Sequence, residues 1–225
     1  MTAVPTNPNH ARTERLPCWA VTAVLAFAGP LTAAALFACG SDAPSDPVQV
    51  PAAVDTTAPP TGLRWQSFQG VDLPVTDQGP RRVEGAVATG YEHSPAGAAV
   101  AATQATVRAS IATDTQWPGI GARMLAPGAG RDDWATARAQ ISITAPIAEG
   151  APRLLGYVVS RYSDEAAEVE IYSLHPDNSV TRNHAAVLWQ YSDWRLTLPD
   201  PASSASPPVT AVAVPPPDLV VFFPR

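Results

Sequence analysis

From Trp19 to Ala38 the chain runs WAVTAVLAFAGPLTAAALFA, 20 residues without one charge. That is about the length needed to cross the hydrocarbon core of a bilayer. A helix that is apolar all round needs apolar partners on every side. Here it is followed at once by a polar, proline-rich stretch that offers none. Arg12 and Arg15 precede the run, and small residues close it. A basic start, an apolar middle and a small-residue boundary describe a secretory leader. Residues 1–39 are therefore expected to carry the rest of the chain across the cytoplasmic membrane.

The end of the leader, Leu36-Phe37-Ala38-Cys39-Gly40-Ser41, resembles the bacterial lipobox. That resemblance implies lipidation of Cys39 and a mature protein held by acyl chains at the extracytoplasmic face of the cell membrane. An uncleaved signal anchor and simple secretion remain open. The other cysteine, Cys18, also lies in the leader. The region after Cys39 is thus expected to have neither a disulfide nor thiolate chemistry. A net charge of −6 gives no attraction to anionic headgroups, so the acyl chains would do the anchoring.

Composition narrows the chemistry. All 14 basic residues are arginine. Schiff-base, Walker-type and general-base lysines are excluded, and an acidic chain without a basic block is a poor partner for nucleic acid. His93, His175 and His184 show no metal-ligand spacing, so neither metal nor cofactor is expected. Gly119-Ile120-Gly121 lacks the third glycine of a dinucleotide loop, and no G-x-S-x-G elbow occurs. No catalytic constellation is legible, and a non-enzymatic role is the expectation.

The 25 prolines mark the boundaries. Residues 40–60 read as a tether and 61–199 as a folded domain. Residues 200–225 read as a disordered proline-rich tail closed by the apolar Leu219–Phe223, which is expected to dock on its own domain. Within the domain, Ser94-Pro95 is a helix start, and Val100, Thr103, Gln104, Val107 and Ile111 form a stripe at helical spacing. Its many alanines permit close packing, so this reads as a core helix. A second helix is expected over 131–141, with Trp134, Ala137 and Ile141 inward, and a glycine-rich loop over 117–130. Residues 154–198 then read as about four antiparallel strands, with Val169 and Ile171 on one face of theirs and Glu168 and Glu170 on the other. The expected class is α+β, with helices packed on a curved antiparallel sheet.

One cluster is denser than composition explains: Gly90-Tyr91-Glu92-His93-Ser94-Pro95-Ala96-Gly97-Ala98. A helix N-terminus offers free N–H groups, so Tyr91 and His93, with Arg108, are candidate ligand-binding residues. The alternative is that they fix the helix entry. The tryptophans are expected in the core or lining a groove; a row of exposed ones would mark a cell-wall glycan binder.

The same cluster, with Trp65, Gly70-Val71-Asp72-Leu73-Pro74, Asp193-Trp194-Arg195-Leu196 and the terminal segment, resembles an uncharacterised family of secreted or membrane-anchored actinobacterial proteins. Its members are often associated with integrative and conjugative elements. The order of helices and strands is similar to the nuclear-transport-factor-2-like cone fold. Together these resemblances imply an extracytoplasmic adaptor or scaffold in conjugative or other envelope machinery, with envelope proteins as partners. A small-ligand-binding or weakly hydrolytic cone is the alternative.

Overall fold

The computed structural model describes residues 54–203 and 208–222. The expected leader, the Cys39 site and most of the tether lie outside the described residues. Among those described, no helix is long and apolar enough to cross a membrane.

In chain order the elements begin with two hairpins, β1 (Arg64–Phe68) with β2 (Val71–Val75) and β3 (Arg82–Glu84) with β4 (Val87–Thr89). Helices α1 (Pro95–Ile111), α2 (Trp117–Arg123) and α3 (Ala129–Arg138) follow. Strands β5 (Arg153–Tyr162), β6 (Ala166–Leu174), β7 (Val180–Gln190) and β8 (Asp193–Thr197) make an antiparallel meander. Two short strands, β9 (Val209–Val212) and β10 (Val220–Val221), complete a six-stranded sheet of order β10-β5-β6-β7-β8, with β9 also on β7. The class is α+β, three helices against a six-stranded antiparallel sheet.

The long helix forms as its residues dictate. The Ser94 hydroxyl accepts from the Gly97 N–H at 3.1 Å, and Pro95 occupies the first turn. Ala98, Ala99, Ala101, Ala102, Ala105 and Ala109 are all buried, because α1 lies between the sheet and the hairpins rather than on one face of either. Small side chains on several faces let both neighbours approach.

The sheet buries Val169, Ile171, Ala185 and Val187 toward α1. Glu168 and Glu170 alternate with them, as the period-two pattern predicts. Helix α1 contacts strands on the inner side, which leaves the acidic face of β6 to pair with its neighbours in the sheet.

Two hairpins that the patterning did not locate precede the helices; the first turns at Gln69-Gly70, both at positive φ, the geometry of a tight hairpin turn. Three expectations need correction. The expected loop at 117–130 contains α2, with Pro118 in its first turn and Ile120 fully buried against the core. Helix α3 does not turn Ala137 and Ile141 inward. Both are exposed, and the buried side chain is Arg138, which donates to the carbonyls of Ile141 (2.6 Å) and Ala112 (2.8 Å). Helix periodicity located the wrong face because a guanidinium feeding several carbonyls can be buried like an apolar group.

The described part of the tail is not disordered. Val220 and Val221 pair with Tyr157 and Gly156, and Phe222 is 1% exposed against Trp65 and Tyr157. Docking of the apolar terminus thus matches the expectation for that segment. Burying one such ring is worth about 1.5–3 kcal/mol. Gly156 is required there, since a Cβ would meet the Val220 carbonyl.

Candidate functional site

The cluster singled out in the sequence is a latch. The Asp193 carboxylate accepts from the backbone N–H groups of Gly90 (2.8 Å), Tyr91 (3.0 Å) and Trp194 (3.0 Å). The Trp194 indole N–H donates to the Glu92 carbonyl at 2.9 Å. The His93 ring stacks on Trp189 with centroids 4.0 Å apart, meets the edge of Trp194 at 5.5 Å, and bonds the Asp164 carbonyl through Nε2. Gly97 admits the Glu92 carbonyl where any Cβ would collide. The Gly90–Ala98 and Asp193–Leu196 motifs, a hundred residues apart, are therefore two halves of one joint between the helix entry and the start of β8.

The three candidate ligand residues do not converge on an open surface. Tyr91 is buried, its hydroxyl without a hydrogen-bond partner, and burial pushes its phenol pKa up despite the pull of Arg108. Arg108 is 1% exposed. Its Nε donates to Gln104 Oε1 (2.7 Å), its Nη1 to the Ala86 carbonyl (2.9 Å), and its guanidinium lies 4.4 Å over the Phe68 ring. Burial lowers its pKa, and the nearby Tyr91 phenol opposes this. Only His93 is exposed, and it faces the tryptophans rather than the helix N-terminus. All five described tryptophans are buried or half-buried, so no row of exposed indoles is present among the described residues.

A second place has the shape of a site. Strands β8 and β9 both pair with β7, β8 along Ala186–Gln190 and β9 along Val180–Asn183. The chain leaves the sheet between them, and at that break lies a cleft of about 870 Å³. This is within the usual range of small-molecule pockets. Thr106, Ala109 and Ser110 of α1 line it, as do the start of α3 with Trp134, residues 182–186 of β7, and Leu196–Pro199.

Its polar groups are linked. Glu170 and His184 are cross-strand partners in the register of β6 and β7, and His184 Nδ1 lies 2.9 Å from Glu170 Oε1. Arg182 Nε stands 3.3 Å from Glu170 Oε2. The carboxylate is thus held between a guanidinium and an imidazole, and its hydrogen bond fixes the orientation of the His184 ring. Sequence reasoning missed these residues. Alternation placed Glu170 on the polar face, but only the register puts His184 opposite it. Among the described residues, no cluster of three or more histidine, cysteine, aspartate or glutamate side chains could hold a metal ion.

No curated protein and no solved structure matches the chain. A family model does, over residues 32–214, which takes in the end of the apolar run, the latch, the cleft and β9. The chain therefore belongs to the family described as Domain of unknown function (DUF8175).

Proposed function

We propose that the chain is a non-enzymatic binding protein tethered at the extracytoplasmic face of the cell membrane. The uncharged run and Cys39 support the tether. The α+β domain is read as a cone-like adaptor or scaffold for envelope-associated machinery, and the resemblance to proteins of integrative and conjugative elements makes conjugative transfer the setting. The observation that carries a binding role is the cleft at the break between β8 and β9, with Glu170, Arg182 and His184 converging on it. The latch supports the same reading from the other side, because the densest polar motif is used up inside the fold.

The test is recovery of partners from detergent-solubilised envelopes with the full-length chain, combined with mass spectrometry of its mature N-terminus. The expected result is a lipidated Cys39 and an envelope protein that co-purifies at fixed stoichiometry. A chain with an unmodified leader that recovers no envelope protein overturns the adaptor reading. The second reading, a small-ligand binder, is favoured by the size of the same cleft.

A further inference from the structure

We propose that strand β9 is an interaction edge whose occupant is β9 of a second copy of this chain, paired antiparallel about a two-fold axis at Thr210. This goes beyond the binding role of the cleft, since it rests on free backbone groups rather than on the side chains that line the cleft.

The register decides which groups are free. The His184 N–H donates to the Pro208 carbonyl at 2.8 Å, and Arg182 and Val180 lie opposite Thr210 and Val212. In an antiparallel ladder alternate residues turn both N–H and C=O to the same neighbour. The backbone of Pro208, Thr210 and Val212 therefore faces β7. The N–H and C=O groups of Val209 and Ala211 point to the other side, where no strand pairs among the described residues. Both residues are exposed. The other edges of this sheet are covered or guarded. On β8, the Leu196 N–H donates to the Met124 carbonyl (2.9 Å), and the Leu196 carbonyl accepts from the Ala126 N–H (2.8 Å). On β5, β10 covers Gly156 and Tyr157, and the strand then carries the exposed Arg161. A charge on an edge discourages a second strand from pairing there.

Strand β9 has no such guard. Residues 201–217 carry no charge, and Val209 is 49% exposed. An open, uncharged, apolar edge is a template for another strand. The strand that fits it is itself uncharged and offers free N–H and C=O groups at alternate positions, which describes β9. A chain of net charge −6 also meets its own copy with least repulsion along a stretch that carries none. Pairing Val209 with Ala211 of the second copy, and Ala211 with Val209 of the second copy, uses the free groups of both strands. Thr210 then lies opposite itself. Pro208 before the strand and the prolines at 215–217 after it supply no N–H to lengthen the ladder. The contact is therefore short, and a two-fold pairing closes it as a weak dimer instead of a growing fibre.

The test is disulfide trapping of the full-length chain in a non-ionic detergent under mild oxidation. Thr210→Cys sets two thiols at a non-hydrogen-bonded pair with Cα atoms about 4.5 Å apart, within the span of a disulfide. Val214→Cys, at a position 74% exposed, lies outside the paired stretch and reports random collision within a micelle. Cys18 and Cys39 remain, so mass spectrometry of the linked peptides counts only bonds between the introduced thiols. We expect a covalent dimer from Thr210→Cys at a yield about tenfold or more above Val214→Cys. Adding Ala211→Pro should lower that yield about tenfold, because it removes a pairing N–H from each copy. It should leave the thermal melt unchanged, since that N–H faces away from β7. A mixture of Val209→Cys and Ala211→Cys chains repeats the trapping at two exposed positions that meet in the same register. A site-specific dimer from Thr210→Cys or from the mixture supports the proposal. Equal yields at 210 and 214, or no dimer from either experiment, overturn it. A yield unchanged by Ala211→Pro overturns pairing through this edge. If no dimer forms and Ala211→Pro abolishes recovery of an envelope protein, the edge receives a strand of that protein, and the second copy is overturned while the adaptor reading stands.

Discussion

The latch and the cleft use similar side chains to opposite ends. In the latch, Asp193 accepts three backbone N–H groups, Trp194 donates to a backbone carbonyl, and His93 lies flat on Trp189. Every one of these groups satisfies a need of the chain itself. In the cleft, Nη1 of Arg131 and the Nη groups of Arg182 have no partner among the described residues. The difference teaches that a dense polar motif need not be a functional one. Buried backbone groups must be paired, and a motif that pairs them is as strongly specified as a binding site.

The comparison can be broken most directly at Trp194, which is 3% exposed. Trp194→Ala should cost about 3–5 kcal/mol of stability, from the cavity and the orphaned Glu92 carbonyl. Denaturant unfolding would measure it, and a loss below about 1 kcal/mol would mean that the latch holds nothing. Asp193→Ala should follow at roughly 2–3 kcal/mol, because it frees three N–H groups at once. The loss in Asp193→Asn should be smaller, since its amide oxygen still accepts.

His93→Ala should cost about 1 kcal/mol, the worth of a stacked ring pair. It should leave partner recovery from envelopes unchanged. A loss of recovery without a stability loss would return His93 to the candidate binding residues. Glu170→Gln should change stability by less than about 1 kcal/mol, as expected of contacts whose partners, Arg182 and His184, are nearly half exposed. Should it instead unfold the domain, the cleft cluster is part of the scaffold like the latch.

The smallest effect is one of acid sensitivity. The Asp114 carboxylate accepts from the Ile143 N–H and the Ser142 hydroxyl and lies beside Arg138, which together hold its pKa below the ordinary value. A carboxylate depressed in the folded state contributes stability above its unfolded pKa of about 3.9, and that contribution fades as pH falls through the lower folded value. Thermal melts of Asp114→Asn should therefore decline less steeply than the parent below about pH 4, and differ most from it near neutrality. Parallel curves for the two proteins would show that Asp114 is not coupled to folding.

What could be read from the chain itself was whatever obeys local rules. The cap at Ser94, the alanine-rich helix and the alternation of β6 follow from short-range sterics and periodicity, and each stands where its residues put it. Helix α2 was hidden because two glycines and a proline in seven residues carry little helix propensity, and packing of Ile120 supplied what propensity lacked. The inward face of α3 was misread because Arg138 is buried by hydrogen bonding to carbonyls 3 and 26 residues away, which no periodicity encodes. Tyr91, His93 and Arg108 were legible as unusual, but whether they face a ligand or the core depends on Asp193, Trp189 and Phe68, set far off in sequence. The cleft was not legible at all. It exists because β8 and β9 share one edge of β7 and because the strand register sets Glu170 opposite His184. Patterning along the chain fixes which face a residue takes, whereas pairing between strands fixes which residues meet, and only the folded chain makes that second choice.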